Sequence, residues 1–225
     1  MTPLLPEYTG EVTPGGPSAV RELDGLTIRK VSVGPQDNNA YLLTCTATGA
    51  QGLVDAADDA PRLLALVAEG SGELDVVITT HQHWDHHRAL AAVVAHTGAR
   101  TAAGAADAEA LPVPVGQLLE HGDQVTFGGV RLEVVHLRGH TPGSVALVFR
   151  DPTGHPHAFT GDSLFPGGVG NTQQDAGRFT SLLDDVEQRL FDVLPDQTWV
   201  YPGHGADTTL GAERPQLPLW RERGW

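Results

Sequence analysis

Five potential metal ligands lie within one short segment of the sequence, which reads Thr80-His81-Gln82-His83-Trp84-Asp85-His86-His87. Adjacent side chains point to opposite faces of a strand, which would separate Asp85 from His86, and side chains two residues apart are not neighbours on a helix, so these side chains can converge only from an irregular loop. The preceding residues 74–79 form a short apolar run that predicts a buried strand. We therefore expect a loop at the carboxyl end of that strand, in which His81 and His83 face one ion while Asp85 and His86 face another nearby.

Three more candidate ligands follow downstream, each in a strand-to-turn setting and beside a glycine. They are His140 in Arg138-Gly-His-Thr-Pro-Gly-Ser144, Asp162 in Thr160-Gly-Asp-Ser163, and His204 in Tyr201-Pro-Gly-His-Gly205. A glycine next to a ligand lets the backbone adopt a positive φ and approach a neighbouring chain closely. Seven ligands are enough for two ions, and we expect these segments to meet at one point.

These residues resemble the metallo-β-lactamase superfamily. The resemblance rests on an HxHxDH motif formed by His81, His83, Asp85 and His86, followed in the expected order by His140, Asp162 and His204. It spans roughly residues 26 to 213. Within the superfamily the chain is similar to the glyoxalase II (hydroxyacylglutathione hydrolase) group, through His83-Trp84-Asp85-His86, Gly161-Asp162-Ser163-Leu164-Phe165 and Pro202-Gly-His-Gly205.

The resemblance implies a fold and an assignment of the ligands. The fold would be an α/β (αββα) sandwich, in which two mixed β-sheets carry helices on their outer faces. One ion would be held by His81, His83 and His140, the other by Asp85, His86 and His204, and Asp162 would bridge the two. Asp55 matches a position in the family where a carboxylate supports the ligand histidines by hydrogen bonding.

This ligand set is typical of metal-assisted hydrolysis. Two divalent ions about 3.5 Å apart lower the pKa of a bridging water from about 15.7 toward neutrality, so that hydroxide is available at physiological pH. One ion would polarise the carbonyl of the substrate, and Asp85 is the candidate proton carrier. Imidazole and carboxylate ligands suit zinc, which we expect here, but they also suit iron or manganese.

The expected reaction is hydrolysis of a thioester in a small acyl-thiol molecule. A lactone or another ester is the first alternative, since the same hydroxide would cleave it. The second alternative is an oxidoreductase similar to the persulfide dioxygenases, which use one iron within the same motif. A metal-holding protein without turnover is the third, and the complete ligand set argues against it.

The thiol that carries the acyl group is left open by the sequence. Glyoxalase II enzymes of the two-domain kind continue into a helical domain that supplies basic residues for glutathione, whereas few residues follow His204 here. The comparison is therefore with single-domain relatives. Residues 166–175 contain no basic side chain, and Lys30 is the only lysine in the chain. An acyl-thiol substrate is better supported than glutathione in particular, and glutathione, coenzyme A and other small thiols are all left open as the carrier.

Two further features lie close to the candidate ligands in the sequence. His136 comes four residues before His140 and is a candidate contact behind the ligands. The segment 167–174, which includes Gly168 and Asn171, follows Asp162. It is either a plain connector or a loop that covers a substrate pocket.

The remaining sequence predicts one domain with more strands than helices. Prolines in residues 1–24 indicate an irregular arm, and residues 25–225 form the single domain. Asp59 before Pro61 predicts a helix start, and Gly98 predicts a helix end. Ser181 and Asp184 resemble a capping box that begins a helix running to residue 194. Strands with helices at intervals favour sheets covered on the outside by helices.

Composition excludes several classes of partner. The chain has 225 residues, with 28 acidic and 14 basic side chains and a formal net charge of −14. Such a chain repels nucleic acids and anionic membrane surfaces, which are bound by clusters of Lys and Arg. The single cysteine, Cys45, cannot form an internal disulfide, and no signal peptide is evident, so we expect a cytoplasmic protein. Both a monomer and a homodimer fit the sequence.

Overall fold

The computed structural model describes residues 8–224, and a seven-stranded mixed sheet forms its first half. The strands lie side by side in chain order: β1 (Ala19–Leu23), β2 (Leu26–Val33), β3 (Asn38–Cys45), β4 (Gln51–Val54), β5 (Val76–Thr79), β6 (Arg100–Gly104) and β7 (Gln117–Leu119). The pairings from β1 to β4 are antiparallel, and those from β4 to β7 are parallel. The carboxyl ends of β4, β5 and β6 therefore meet at one edge.

A six-stranded sheet forms the second half. Its members are β8 (Gln124–Phe127), β9 (Val130–His136), β10 (Val145–Arg150), β11 (Pro156–Gly161), β14 (Trp199–Pro202) and β15 (Thr208–Thr209), in the spatial order β15-β14-β11-β10-β9-β8. Only the pairing of β11 with β14 is parallel among these described strands. A small separate hairpin is formed by β12 (Leu164–Phe165) and β13 (Gly168–Val169).

Helices cover the outer faces of both sheets. They are α1 (Ala60–Glu69), α2 (Leu90–Thr97), α3 (Ala176–Val186), α4 (Leu210–Glu213) and α5 (Leu217–Arg223), with short 3-10 turns at Trp84–His86, Ala108–Ala110 and Arg214–Gln216 and a π-helical turn at Glu187–Phe191. None of the helices within residues 8–224 combines the length and hydrophobicity that a bilayer span requires.

Three apolar layers hold the sheets and helices together. In β2, Leu26 and Ile28 pack between the two sheets, whereas Val31 and Val33 pack against α1 and α2 on the outer face. This alternation follows from the two-residue period of a strand whose two faces are both buried. The third layer lies between the second sheet and α3, where Phe179 and Leu182 are buried. The predicted αββα sandwich is confirmed.

Two predicted boundaries were wrong. Residues 19–23 belong to a strand rather than to an irregular arm, because their backbone pairs with β2 along the edge of the first sheet. Helix α3 begins at Ala176, because the Asp175 side chain accepts a hydrogen bond from the Arg178 amide and caps the helix, whereas the predicted cap was Ser181, further along the chain. Residues 1–7 of the predicted arm lie outside the described residues.

Candidate metal centre

The loops that carry the seven predicted ligands converge between the two sheets at one end. Strand β5 ends at Thr79, and Thr80 and His81 follow it. Trp84–His86 then form a 3-10 turn. Three triplets of ligand atoms each lie within 4.8 Å of one another: His81, His83 and His140; His81, His86 and Asp162; and Asp85, His86 and His204. Two of these triplets have the same members as the two predicted sites. The structure therefore brings all seven residues together.

The hydrogen bonds of the histidine rings fix which nitrogen faces the centre. His140 and His204 donate from Nδ1 to the carbonyl oxygens of Asn171 and Gln36, each over 2.8 Å, and His86 donates from Nδ1 to Asp55 Oδ2 over 2.9 Å. Carbonyl and carboxylate oxygens only accept, so Nδ1 carries the proton in each ring. Nε2 is therefore the nitrogen that faces the shared space in each ring, where it can bind a metal ion in place of a proton.

Several ligand atoms have no protein partner although they are buried. His81 Nε2, His140 Nε2 and Asp162 Oδ1 are buried without a hydrogen bond to any described residue. Burial lowers the pKa of His81 well below its ordinary value and also lowers that of His140, so both rings are neutral. Buried neutral imidazoles with unpartnered lone pairs are unfavourable unless a cation meets them. The residues present thus fit metal ions.

Carboxylate groups lie close to the rings of His86 and His204. Asp162 lies between the triplets, with its oxygens 3.3 Å from His86 Nε2, 3.6 Å from His140 Nε2 and 3.5 Å from His204 Nε2. Burial opposes protonation of His86 and His204, but hydrogen bonds from these rings to carboxylates outweigh it and raise each pKa to about 10. The carboxylates therefore favour positive charge at this position, whether from protons or from ions.

Asp55 accepts hydrogen bonds from His86 and from Thr80, which precedes His81. It directly follows β4 and has a positive φ of 58°. Its Oδ1 accepts a hydrogen bond from the Thr80 amide over 2.7 Å, and its Oδ2 accepts one from the Thr80 hydroxyl over 2.8 Å in addition to the one from His86. The Thr80 hydroxyl lies 3.0 Å from His81 Nδ1. One carboxylate thus orients His86 directly and His81 through Thr80.

Glycine permits the closest approach of the chain to the centre. A Cβ atom at Gly203 would lie 2.7 Å from His86 Cε1 and would also collide with Asp162 Oδ1. The Gly203 amide donates to the Gly161 carbonyl over 2.9 Å, which joins the Asp162 and His204 segments. Any larger residue at position 203 would push these ligands apart.

A cavity of about 600 Å³ opens beside His83 and His140. Its lining residues are Gln82, His83, Arg138, Gly139, His140, Thr141, Pro142, Gln173, Gly177, Arg178 and Ser181. The Arg138 guanidinium is paired with Asp185 over 2.7 Å, and Arg178 donates to the Gly139 carbonyl over 2.8 Å and to the His140 carbonyl. A cavity of this size accommodates a small organic molecule next to the candidate metal ligands.

The other predicted site residues lie near the ligands without facing the centre. His136 donates from Nε2 to the Pro142 carbonyl over 2.8 Å, so it holds the backbone of the His140 loop rather than a ligand ring. Gly168 pairs with Phe165 in the hairpin β12–β13, and Asn171 contributes the carbonyl that binds His140. Neither Gly168 nor Asn171 lines the cavity, which the same loop reaches through Gln173.

Two residues close to the centre were missed by the sequence analysis. Asn38 donates from Nδ2 to Asp85 Oδ2 over 3.0 Å, and Asp107 is buried between the His83 and His140 loops. Asp107 follows β6 at the carboxyl edge of the parallel strands. This position is the one feature of the sequence that could have identified it. Asn38 lies at the start of β3, where an Asp-Asn-Asn turn was the available signal.

Comparison with known families agrees with this geometry. The family model described as the metallo-beta-lactamase superfamily matches residues 33–204, which include all seven candidate ligands. The chain belongs to this superfamily.

Relatives within the superfamily carry several names. Hydroxyacylglutathione hydrolase from Fuscovulum blasticum is 39% identical over 164 residues, which make up 73% of this chain and 55% of that relative. The chain thus spans about half the length of this curated relative. Its solved superfamily neighbours include ETHE1 from Myxococcus xanthus (TM-score 0.74, 30% identity, 87% of this chain and 84% of that chain). Another is TTHA1623 in a di-iron-bound form (TM-score 0.68, 34% identity, 84% and 98%).

Proposed function

We propose that this protein is a dinuclear metal-dependent hydrolase that cleaves the thioester of a small acyl-thiol. The observation that carries the proposal is the convergence of five imidazole and two carboxylate side chains, several of them with buried atoms that no described residue partners. The name of the Fuscovulum blasticum relative, hydroxyacylglutathione hydrolase, supports the thioester bond.

In this proposal the two triplets hold one ion each. His81, His83 and His140 form the first site, and Asp85, His86 and His204 form the second. Asp162 reaches both sites, because its Oδ2 lies near Nε2 of both His140 and His204. Its Oδ1 lies near His86 Nε2. We propose zinc as the bound ion. Iron is the main alternative, because the structure of TTHA1623 is of a di-iron-bound form.

Divalent ions held by these residues would supply Lewis acidity and would lower the pKa of water toward neutrality. The chain itself orients the reacting groups. Asp85 is partly exposed, and Asn38 donates to its Oδ2 over 3.0 Å, which fixes the carboxylate beside the centre. Partial burial favours the neutral acid, but hydrogen bonds from His204 and Asn38 hold the pKa of Asp85 below its usual range. An ionised Asp85 can accept a proton when water attacks the carbonyl.

The cavity beside His83 and His140 is the proposed substrate site. It lies next to the three-histidine triplet, so a carbonyl bound there would meet the centre from that side. Gln82, Gln173 and Ser181 add uncharged hydrogen-bonding groups to its wall. Of the two arginines in the wall, Arg138 is paired with Asp185, whereas Arg178 donates to neutral oxygens and keeps its positive charge, which by itself selects no particular anionic carrier. The lone cysteine is buried and free, in keeping with the cytoplasmic setting that we propose.

Metal analysis combined with a substrate panel tests the proposal. Elemental analysis of the purified protein should find two divalent ions per chain, and acyl-thiols should be hydrolysed faster than lactones and other esters. The variant His140→Ala should lose metal and turnover, whereas His121→Ala, at an exposed loop position, should retain both. A fully metal-loaded protein that leaves every acyl-thiol intact would contradict the thioester assignment.

One competing function has a specific observation in its favour. The likeness to ETHE1 at 30% identity fits an oxidoreductase of the persulfide dioxygenase type. One iron per chain, together with oxygen uptake in the presence of a persulfide, would support that function and exclude the dinuclear hydrolase. Two ions per chain without oxygen uptake would exclude the oxidoreductase.

A further inference from the structure

Asp107 is a buried carboxylate that belongs to none of the three ligand triplets. It lies three residues after the end of β6, where its own amide donates to the Gly104 carbonyl over 3.0 Å. Its two oxygens accept three hydrogen bonds. Oδ2 accepts from the Gln82 amide over 2.9 Å and from the Thr141 hydroxyl over 2.6 Å, and Oδ1 accepts from the Gly143 amide over 2.7 Å.

The donors of these bonds belong to two different ligand loops. Gln82 separates His81 from His83, and Thr141 directly follows His140. Asp107 therefore connects the backbone that carries two histidines of the first triplet to the backbone that carries the third. In the described residues, no other side chain accepts hydrogen bonds from both of these loops.

The contact between Asp107 and the His140 loop is close. A Cβ atom at Gly143 would lie 2.8 Å from Asp107 Cγ and 2.5 Å from the Asp107 amide nitrogen. Such tight packing fixes the distance between the loops as well as their hydrogen bonds. None of the ion pairs among residues 8–224 involves Asp107, so only neutral donors compensate its burial. A carboxylate in that situation contributes little to stability by charge, and a role in geometry accounts better for it.

We propose that Asp107 is a positioning residue that sets the spacing of His81, His83 and His140 and thereby the metal affinity of the three-histidine site. The inference rests on the proposed metal centre. Replacing the carboxylate by an amide leaves one of the three donors facing an NH2 group, so at least one loop must move. Loss of a partner that orients metal ligands lowers metal affinity about 10- to 100-fold.

Zinc titration against a chromophoric chelator tests this proposal in the full-length protein. The wild type should bind two zinc ions in two steps, and the variant His140→Ala identifies the step that belongs to the three-histidine site. In Asp107→Asn this step should weaken by about 10- to 100-fold, while the other step changes by less than about threefold. In the double variant with His140→Ala, Asp107→Asn should have no further effect on that step.

Asp151→Asn is the matched control. Asp151 Oδ1 also accepts from two backbone amides and one threonine hydroxyl, those of Thr153 and His155, in the turn between β10 and β11. Because Asp107 is buried and the hydrogen bonds of Asp151 to Thr153 lie in an exposed turn, urea denaturation should show a larger loss of stability in Asp107→Asn than in Asp151→Asn. Zinc affinity in Asp151→Asn should equal that of the wild type.

The outcomes separate this inference from the proposed function. If the wild type binds no zinc, the metal centre itself is wrong, and this inference fails with it. If the wild type binds two ions and Asp107→Asn leaves both steps unchanged, or weakens both equally, only the positioning role is overturned. Should Asp107→Asn fail to fold, Thr141→Val decides, because it removes one bond to Asp107 and keeps the carboxylate. A selective loss in Thr141→Val supports the proposal, and an unchanged zinc affinity overturns it.

Discussion

Lys30 and Asp207 form a buried ion pair, with 2.6 Å between Lys30 Nζ and Asp207 Oδ1. Neither side chain is more than 1% exposed. Lys30 also donates to the carbonyl oxygens of Gly10 and Gly205, each over 2.8 Å. Because Gly205 follows His204, the pair joins β2 to the loop that carries a candidate ligand and to the chain segment that precedes β1.

Lys30→Met should lower the free energy of unfolding by about 3–5 kcal/mol, because it leaves the Asp207 carboxylate buried without its cation. Urea denaturation measures this difference. Arg62→Met is the control, since it removes the cation of the more exposed pair with Glu69, and it should cost no more than about 1 kcal/mol. Equal losses in the two variants would show that the buried pair has no special role.

The grouping of the ligands could be predicted from the sequence because motif and spacing concentrate them. His81, His83, Asp85 and His86 lie in one loop after a strand, so only the His140, Asp162 and His204 segments had to be placed. The flanking glycines pointed to close approach, and the collision of a Cβ atom at Gly203 with the ligands explains why. Strands with helices at intervals indicated sheets covered on the outside by helices, and the family resemblance implied the sandwich.

Interactions between residues far apart in the chain were not predictable. Lys30 and Asp207 are 177 residues apart, and Asp107 is 25 residues from Gln82 and 36 from Gly143. Neither set of contacts has a periodic signature. Strand β1 was missed because prolines dominate the residues before it, although its backbone needs only the free edge of β2 to pair.

The start of α3 allows a direct test of two competing caps. Asp175→Ala should cost about 1 kcal/mol of stability, because the Asp175 side chain accepts from the Arg178 amide over 2.9 Å. Ser181→Ala should change stability by less than about 0.5 kcal/mol, because Ser181 lies inside the helix. Chemical denaturation of both variants compares them. A larger loss in Ser181→Ala would favour the helix start predicted from the sequence.

Asp162→Asn should reduce the metal content from two ions per chain to one or none. The amide has no negative charge and a single acceptor oxygen, so it cannot bridge two cations between His86 and His140. Inductively coupled plasma mass spectrometry of protein from cells grown in metal-replete medium measures the number of metal ions per chain. Asp123→Asn is the control, since Asp123 is exposed and its side chain accepts from the Glu120 amide, away from the candidate ligands. If Asp162→Asn retains both ions and normal turnover, the bridging role is wrong.

His157 should make the stability of the protein depend on pH in the acid range. Its ring is buried, with Nδ1 3.1 Å from the Tyr201 hydroxyl, and burial together with the charge of Arg21 lowers its pKa to about 3. An unfolded histidine has a pKa of about 6.5, so the unfolded chain binds more protons between pH 3 and 6.5. The contribution of this group to stability is therefore complete above pH 6.5 and falls as the pH is lowered, by about 2 kcal/mol at pH 5.

The variant His157→Asn tests this prediction, because its amide oxygen replaces the Nδ1 acceptor and does not titrate. Between pH 7 and pH 5 the free energy of unfolding should fall by about 2 kcal/mol less in the variant than in the wild type. Urea denaturation of both proteins at the two pH values measures the difference, in which the titration of the shared ligand histidines cancels. Identical losses in the two proteins would mean that His157 takes up no proton on unfolding.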